Sequence, residues 1–179
     1  MKKTIMLYWQ EECSHAVLPA HKALTDFFPL TVISAGVKEP DFRSFDTARG
    51  QYDALYLLRE IALADRGGKD VILVLWLIAE DISFPGYDYL HGAAKGNSAV
   101  VSTARTGFGE NLRKEVCHEA GHMLGLKHCP NPCVMNTSPD QRRLDNKPMI
   151  FCGECSIQFL KTELPDDPRF ENNDILDDL

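Results

Sequence analysis

The chain has no long hydrophobic run. Its longest, Val71 to Ala79, is nine residues, against about 20 for a membrane-spanning helix. It has no secretion signal either. Lys2 and Lys3 imitate a basic leader, but the apolar stretch Ile5 to Trp9 is short and Gln10-Glu11-Glu12 ends it. It has no excess of positive charge: the net charge is −7, which argues against a nucleic-acid partner, because phosphate binding needs a basic patch. Internal repeats and long linkers are missing, and 179 residues suffice for one domain with a substantial core but would cramp two. The expectation is a cytoplasmic protein without membrane contact. In a reducing compartment six cysteines point to metal binding ahead of disulfides.

What is present reads as alternating strands and helices. Thr4 to Trp9 is predicted as a buried strand, Glu11 to Ser14 as a turn, and Leu18 to Phe28 as a helix ended by Pro29. Leu30 to Ser34 is apolar and β-branched, a second strand. Gly36 to Gly50 lacks any period and reads as a loop. Tyr52 to Asp65 is predicted helical, with Leu55, Leu58 and Ala62 on its buried face and Gly67-Gly68 as its stop. Val71 to Ile78 is continuously apolar, as suits a central strand covered on both faces. Strand, helix, strand, helix, strand is the order of an α/β sheet.

Further on, Tyr87 to His91 and Ser98 to Thr103 are predicted as a hairpin-like pair at the sheet edge, joined by the Gly-rich stretch 92–97. A helix is expected from Gly109 or Glu110, with Leu112, Val116, Ala120 and Met123/Leu124 as its packed stripe. A polar stretch runs to Lys147. Phe151 to Leu164 is predicted as the last helix, stopped by Pro165. The domain is thus 1–164, followed by an acidic tail, 165–179. From Lys161 to Leu179 there are seven acids and two bases.

The chemistry concentrates in the long helix. Its sequence from His118 to His128 reads H-E-x-x-H-x-x-G-x-x-H. Histidines at i and i+4 stand one above the other and share one metal. Catalytic zinc takes three protein ligands and keeps one position open. His128 supplies the third ligand if the chain leaves the helix at once, and Gly125 permits this by tolerating positive φ. Glu119 points into the same cleft. Its expected role is to take a proton from the zinc-bound water and return one to the leaving group.

A second constellation follows. Cys129 and Cys133, then Cys152 and Cys155, form two close pairs separated by 18 residues, the spacing of a closed four-thiolate zinc site with a folding role. Disulfides are the lesser reading. Cys13 and Cys117 are expected to be buried small apolar groups, and His15, His21 and His91 carry no partner pattern.

The run His118 to Cys129, then Cys133-Val134-Met135, then Cys152-Gly153-Glu154-Cys155, resembles the archaemetzincins, metzincin-clan zinc peptidases. The stretches Gln51-Tyr52, Asp81 to Ala94, Ser102 and Asp145-Asn146-Lys147 are similar more weakly. The resemblance implies a compact single-domain α/β fold: a mixed twisted sheet with one antiparallel edge strand, an active-site helix, a Met-turn at Met135 and a C-terminal helix. It implies two zinc ions per chain, one catalytic and one structural, and a peptide or protein substrate pairing with the edge strand, which Tyr87 to His91 fits. A monomer is expected. In the family the gap between the first two cysteines is one residue longer, as is the stretch from the methionine to C-x-x-C. Both lie in loops, so the second site is expected to survive. Asn136 follows the methionine, so no tyrosine ligand stands there, and no second group for the oxyanion is evident. The alternative reading is a non-catalytic zinc-stabilised interaction module, its cleft blocked by the acidic tail.

Overall fold

The structure, a computed structural model, describes residues 4–64 and 71–161. The expected tail and the Gly67-Gly68 stop lie outside them. Its centre is the strand β5 (Val71–Ile78), flanked by β1 (Thr4–Trp9) and β8 (Ser98–Ser102), both parallel to it. Beyond β1 lies β2 (Thr31–Val37), also parallel. Beyond β8 lies β7 (Gly92–Lys95), antiparallel. The order is β2-β1-β5-β8-β7.

The unbroken apolar run of β5 is explained by its two covered faces. Leu73, Leu75 and Leu77 join the core cluster that holds Ala20 and Leu24 of α1 (Val17–Phe27) and Val116 and Ala120 of α4 (Glu110–Met123). Val74, Trp76 and Ile78 pack with Leu57, Leu58 and Ile61 of α2 (Ala54–Ala62). Burying each such side chain is worth about 1.5–3 kcal/mol, so this strand is the main anchor of both layers. Phe28 is extended because Pro29 follows, and this ends α1.

Several expectations need correction. The buried stripe of α2 is Ala54, Leu57, Leu58 and Ile61, whereas Leu55 and Ala62 are only half-buried. Both stripes have helical spacing. The Asp53 cap, which accepts from the Tyr56 amide at 2.8 Å, helps set where the helix starts. Glu11–Ala16 is a 3-10 segment rather than a turn. Two short helices were missed: α3 (Thr103–Thr106) and α5 (Gln141–Asn146), the latter capped by Asp140. Within the expected loop 36–50 lies β3 (Phe45–Asp46), which pairs with β4 (Gln51–Asp53) and, through it, with β6 (Ile82–Ser83). The last helix, α6, is described over Gly153–Lys161, starting two residues later than expected.

The edge strand is also elsewhere. It is β7, from Gly92 to Lys95, with Lys95 opposite Ser98 across a two-residue turn at Gly96-Asn97. Tyr87 to His91 makes only an isolated bridge, Leu90 to Ile82. Gly92, Ala93 and Ala94 look too small for a strand, but the bare backbone of Gly92 is what lets the sheet edge approach α4: a Cβ there would lie 2.8 Å from Glu119 Oε1, while Ala93 packs on the other face with α2.

Residues 84–91 are instead a tethered loop. Gln51 Nε2 donates to Asp88 O at 2.7 Å and Arg49 donates to Tyr87 O. The Arg105 guanidinium lies 4.0 Å over the Tyr89 ring while also holding Asp81. No helix among the described residues is long and apolar enough to cross a membrane.

Candidate metal centre

Helix α4 is covered almost all round: Leu112 and every residue from Lys114 to Met123 are buried. The histidine face nevertheless lines a cleft, as the sequence reading expected. The helix stops at a tight left-handed turn. Gly125 has φ 85°, its amide donates to His122 O at 2.9 Å, and the Leu126 amide donates to Gly121 O at 2.9 Å. This pair of bonds is the Schellman arrangement, and it swings His128 back toward the helix.

The three imidazoles meet. His122 Nε2 is 3.1 Å from His118 Nε2 and 3.2 Å from His128 Nε2. His118 Nδ1 lies 2.8 Å from Val134 O and His122 Nδ1 lies 2.9 Å from Leu126 O. A carbonyl accepts, so each Nδ1 carries the proton and each Nε2 presents a bare lone pair. Bare lone pairs at this distance repel unless a cation lies between them. Zinc–nitrogen bonds of 2.0–2.1 Å at tetrahedral angles separate the nitrogens by about 3.3 Å, so the donor set fits zinc. Burial also lowers both imidazoles, His118 well below its ordinary range and His122 to about 3. They stay neutral, which is the ligating form.

Glu119 is buried and lines the same cleft with His118, His128, Glu115, Tyr87, Tyr89 and His91. Burial, and then the neighbouring Glu115 carboxyl, raise its pKa well above the ordinary carboxylate range, while Lys147 opposes them. Across the cleft His91 Nδ1 donates to Ser138 O at 3.2 Å, fastening the 84–91 loop to the segment after Met135. His91 Nε2 and Ser138 Oγ are buried without hydrogen-bond partners.

The four cysteines also converge. Cys129 Sγ is 3.6 Å from Cys152 Sγ, and Cys133 Sγ is 3.6 Å from Cys155 Sγ. All four are free thiols. A disulfide needs about 2.05 Å, whereas zinc–sulfur bonds of 2.3 Å in a tetrahedron separate the sulfurs by about 3.8 Å. The Met135 amide donates to Cys133 Sγ at 3.2 Å, as suits a thiolate. The cluster is stitched to the imidazoles through the backbone: Cys129 N donates to Met135 O, and Val134 O accepts a hydrogen bond from His118 Nδ1. Met135 itself is fully buried.

The remaining candidates are elsewhere. Cys13 lies against Thr103, Cys117 against Ala23 O, His15 against Phe108 and His21 against Val32 O. None joins either cluster. Sequence reading passed over Glu115 and Lys147. Glu115 had a signal, since it precedes Glu119 by one turn. Lys147 stood in the Asp145-Asn146-Lys147 stretch that resembles the family, but nothing local tied it to Glu119, because α5 brings it in from another segment.

The sequence profile of peptidase family M54 matches residues 30–161. The chain belongs to this family. Among archaemetzincins, it is 31% identical over 151 residues to that of Archaeoglobus fulgidus, covering 80% of this chain and 90% of the relative. It is 31% identical over 160 residues to that of Halobacterium salinarum. The crystal structure of archaemetzincin from Methanopyrus kandleri superposes with a TM-score of 0.79 at 27% identity, covering 90% of this chain and 95% of that one. The Archaeoglobus fulgidus structure, complexed with malonate, gives 0.78 at 29%, covering 87% and 99%. As an M54 peptidase the chain is a zinc-dependent hydrolase of the archaemetzincin family, with a mixed α/β fold. The histidine triad and the four-cysteine cluster are the two groups of side chains among the described residues whose donor atoms lie close enough together to hold a metal ion.

Proposed function

We propose that His118, His122 and His128 hold a catalytic zinc ion, and that Glu119 is the acid–base residue in peptide-bond hydrolysis. The observation that carries this reading is the set of three facing Nε2 atoms with Glu119 in the same cleft. Zinc held there supplies Lewis acidity toward a carbonyl oxygen and toward water. Glu119 accepts the proton of the attacking water and delivers it to the departing amine. Its burial keeps bulk water from competing, and the carbonyls of Val134 and Leu126 hold two of the imidazoles in the ligating tautomer.

The four-cysteine cluster holds a second, structural zinc, and Met135 is the Met-turn residue packed against α4. The chain is taken as a cytoplasmic monomer, and the reduced, clustered thiols support the compartment. An extended substrate pairs with β7, which has no strand on its outer side among the described residues.

The test is Glu119→Gln in the zinc-loaded chain, assayed on a peptide library with and without chelator. Zinc content is expected to stay at two ions while hydrolysis falls about 10²–10⁴-fold. A variant that cleaves like the wild type overturns the assignment.

A further inference from the structure

At and below Glu119 three ionisable side chains are packed with almost no exposure to solvent. Glu119 and Glu115 are each 4% exposed and Lys147 is 5% exposed. Glu115 precedes Glu119 by four residues on α4, so the two carboxyls adjoin on one buried helix face. Like charges at that spacing repel, and inside a protein they do so strongly. Lys147 Nζ stands 3.8 Å from Glu115 Oε2, and neither atom has a hydrogen-bond partner. The pair is thus held by charge rather than by a directed bond.

The neighbouring cation does not serve this purpose. Lys114 Nζ donates to Leu144 O at 3.3 Å and to Asp145 O at 3.0 Å, and its other charged neighbour is the exposed Glu110. Its bonds do something else: together with Asn111 Nδ2 to Asp145 Oδ1 at 2.6 Å, they clamp α5 against α4. Asp140 caps the start of α5. Pro148 forces Lys147 into extended backbone, φ −64° and ψ 128°, which ends the helix there. The clamp and the proline turn deliver one ammonium to the interior. A buried lysine is costly unless it compensates something.

We propose that Lys147 is a positioning residue of this peptidase: its ammonium compensates the Glu115–Glu119 carboxyl pair and so holds Glu119 at the cleft beside the imidazoles. The inference rests on the reading of Glu119 as the acid–base residue.

The test uses the zinc-loaded full chain with Lys147→Met, Lys147→Arg, Glu115→Gln and the double variant Lys147→Met/Glu115→Gln, on a library peptide that the wild type cleaves. Lys147→Met is expected to lower kcat about 10- to 100-fold, as misplacement of a reacting group does, with KM and zinc content unchanged. Lys147→Arg restores most of kcat. In thermal unfolding, Lys147→Met and Glu115→Gln each lower the midpoint, and the double variant is more stable than the sum of the two predicts. Wild-type kcat in Lys147→Met overturns the proposal. So does a loss of kcat that Lys147→Arg fails to rescue, and so do additive midpoints. If the wild type itself has no turnover, the reading of Glu119 fails separately. The unfolding cycle of Lys147→Met with Glu119→Gln then decides: coupling supports the compensated cluster and additivity overturns it.

Discussion

A Cβ on Gly121 would lie 2.4 Å from Met135 Sδ and 3.0 Å from its Cε. The methionine therefore rests directly on the backbone of the helical turn between His118 and His122. Its neighbour Val134 accepts a hydrogen bond from His118 Nδ1 through its carbonyl. Two segments distant in sequence are fixed to each other by one absent side chain and one hydrogen bond.

Gly121→Ala is expected to destabilise the protein. Overpacking costs about 1–3 kcal/mol, against a gain of about 1 kcal/mol for alanine over glycine in a helix. Met135 is fully buried, so its side chain must repack within the core to make room. The check is thermal unfolding of Gly121→Ala alone and with Met135→Ala. If the contact matters, the second change removes the penalty of the first. A Gly121→Ala chain as stable as wild type contradicts the contact.

Gly92→Ala acts on chemistry rather than stability. The new Cβ would meet Glu119 Oε1 at 2.8 Å and Cγ at 2.9 Å. Glu119 must swing away, and displacing an acid–base group by about 1 Å costs on the order of 100-fold in kcat. Zinc content, measured by elemental analysis, is expected to match wild type. Undiminished turnover would show that Glu119 has room to spare.

The metal-free chain should weaken in mild acid. Burial pushes the His122 imidazole from 6.5 down to about 3. Between those values the unfolded chain binds the proton and the folded chain does not. Stability therefore falls as pH falls through this window and is insensitive to His122 above it. The effect is on the order of a few kcal/mol. Unfolding midpoints of the chelated protein, compared with His122→Asn, isolate it: the variant should have the shallower slope, and equal slopes would refute the assignment.

Chelation should also order the thiols by reactivity. The backbone amide of Cys155 draws the half-exposed Cys152 thiol down to about 6, so it is largely thiolate at neutral pH. Burial pushes Cys13 up to about 11 and Cys117 up to about 12. Mass spectrometry after a short iodoacetamide pulse should find Cys152 alkylated first, with Cys13 and Cys117 untouched until the chain unfolds. Early labelling of Cys117 would contradict its burial.

The sequence alone determined the two candidate metal clusters, because such clusters are read by spacing. The i, i+4 histidines, the glycine that must turn left-handed and the paired cysteines are short-range features, and the backbone geometry of one helix and one turn brings most of them together. It also determined the central strand, since only a strand covered on both faces stays apolar at every position. Tertiary structure alone decided the rest. The edge strand was misplaced because Gly92, where a side chain would collide with Glu119 of α4, and the two alanines after it carry little strand propensity. The buried face of α2 depended on which of two equivalent stripes met the sheet. Lys147 reached Glu115 only because α5 clamps onto α4 and a proline turns the chain inward. Contacts between distant segments have no local period to reveal them, so the charge beneath Glu119 became legible only once the chain had folded.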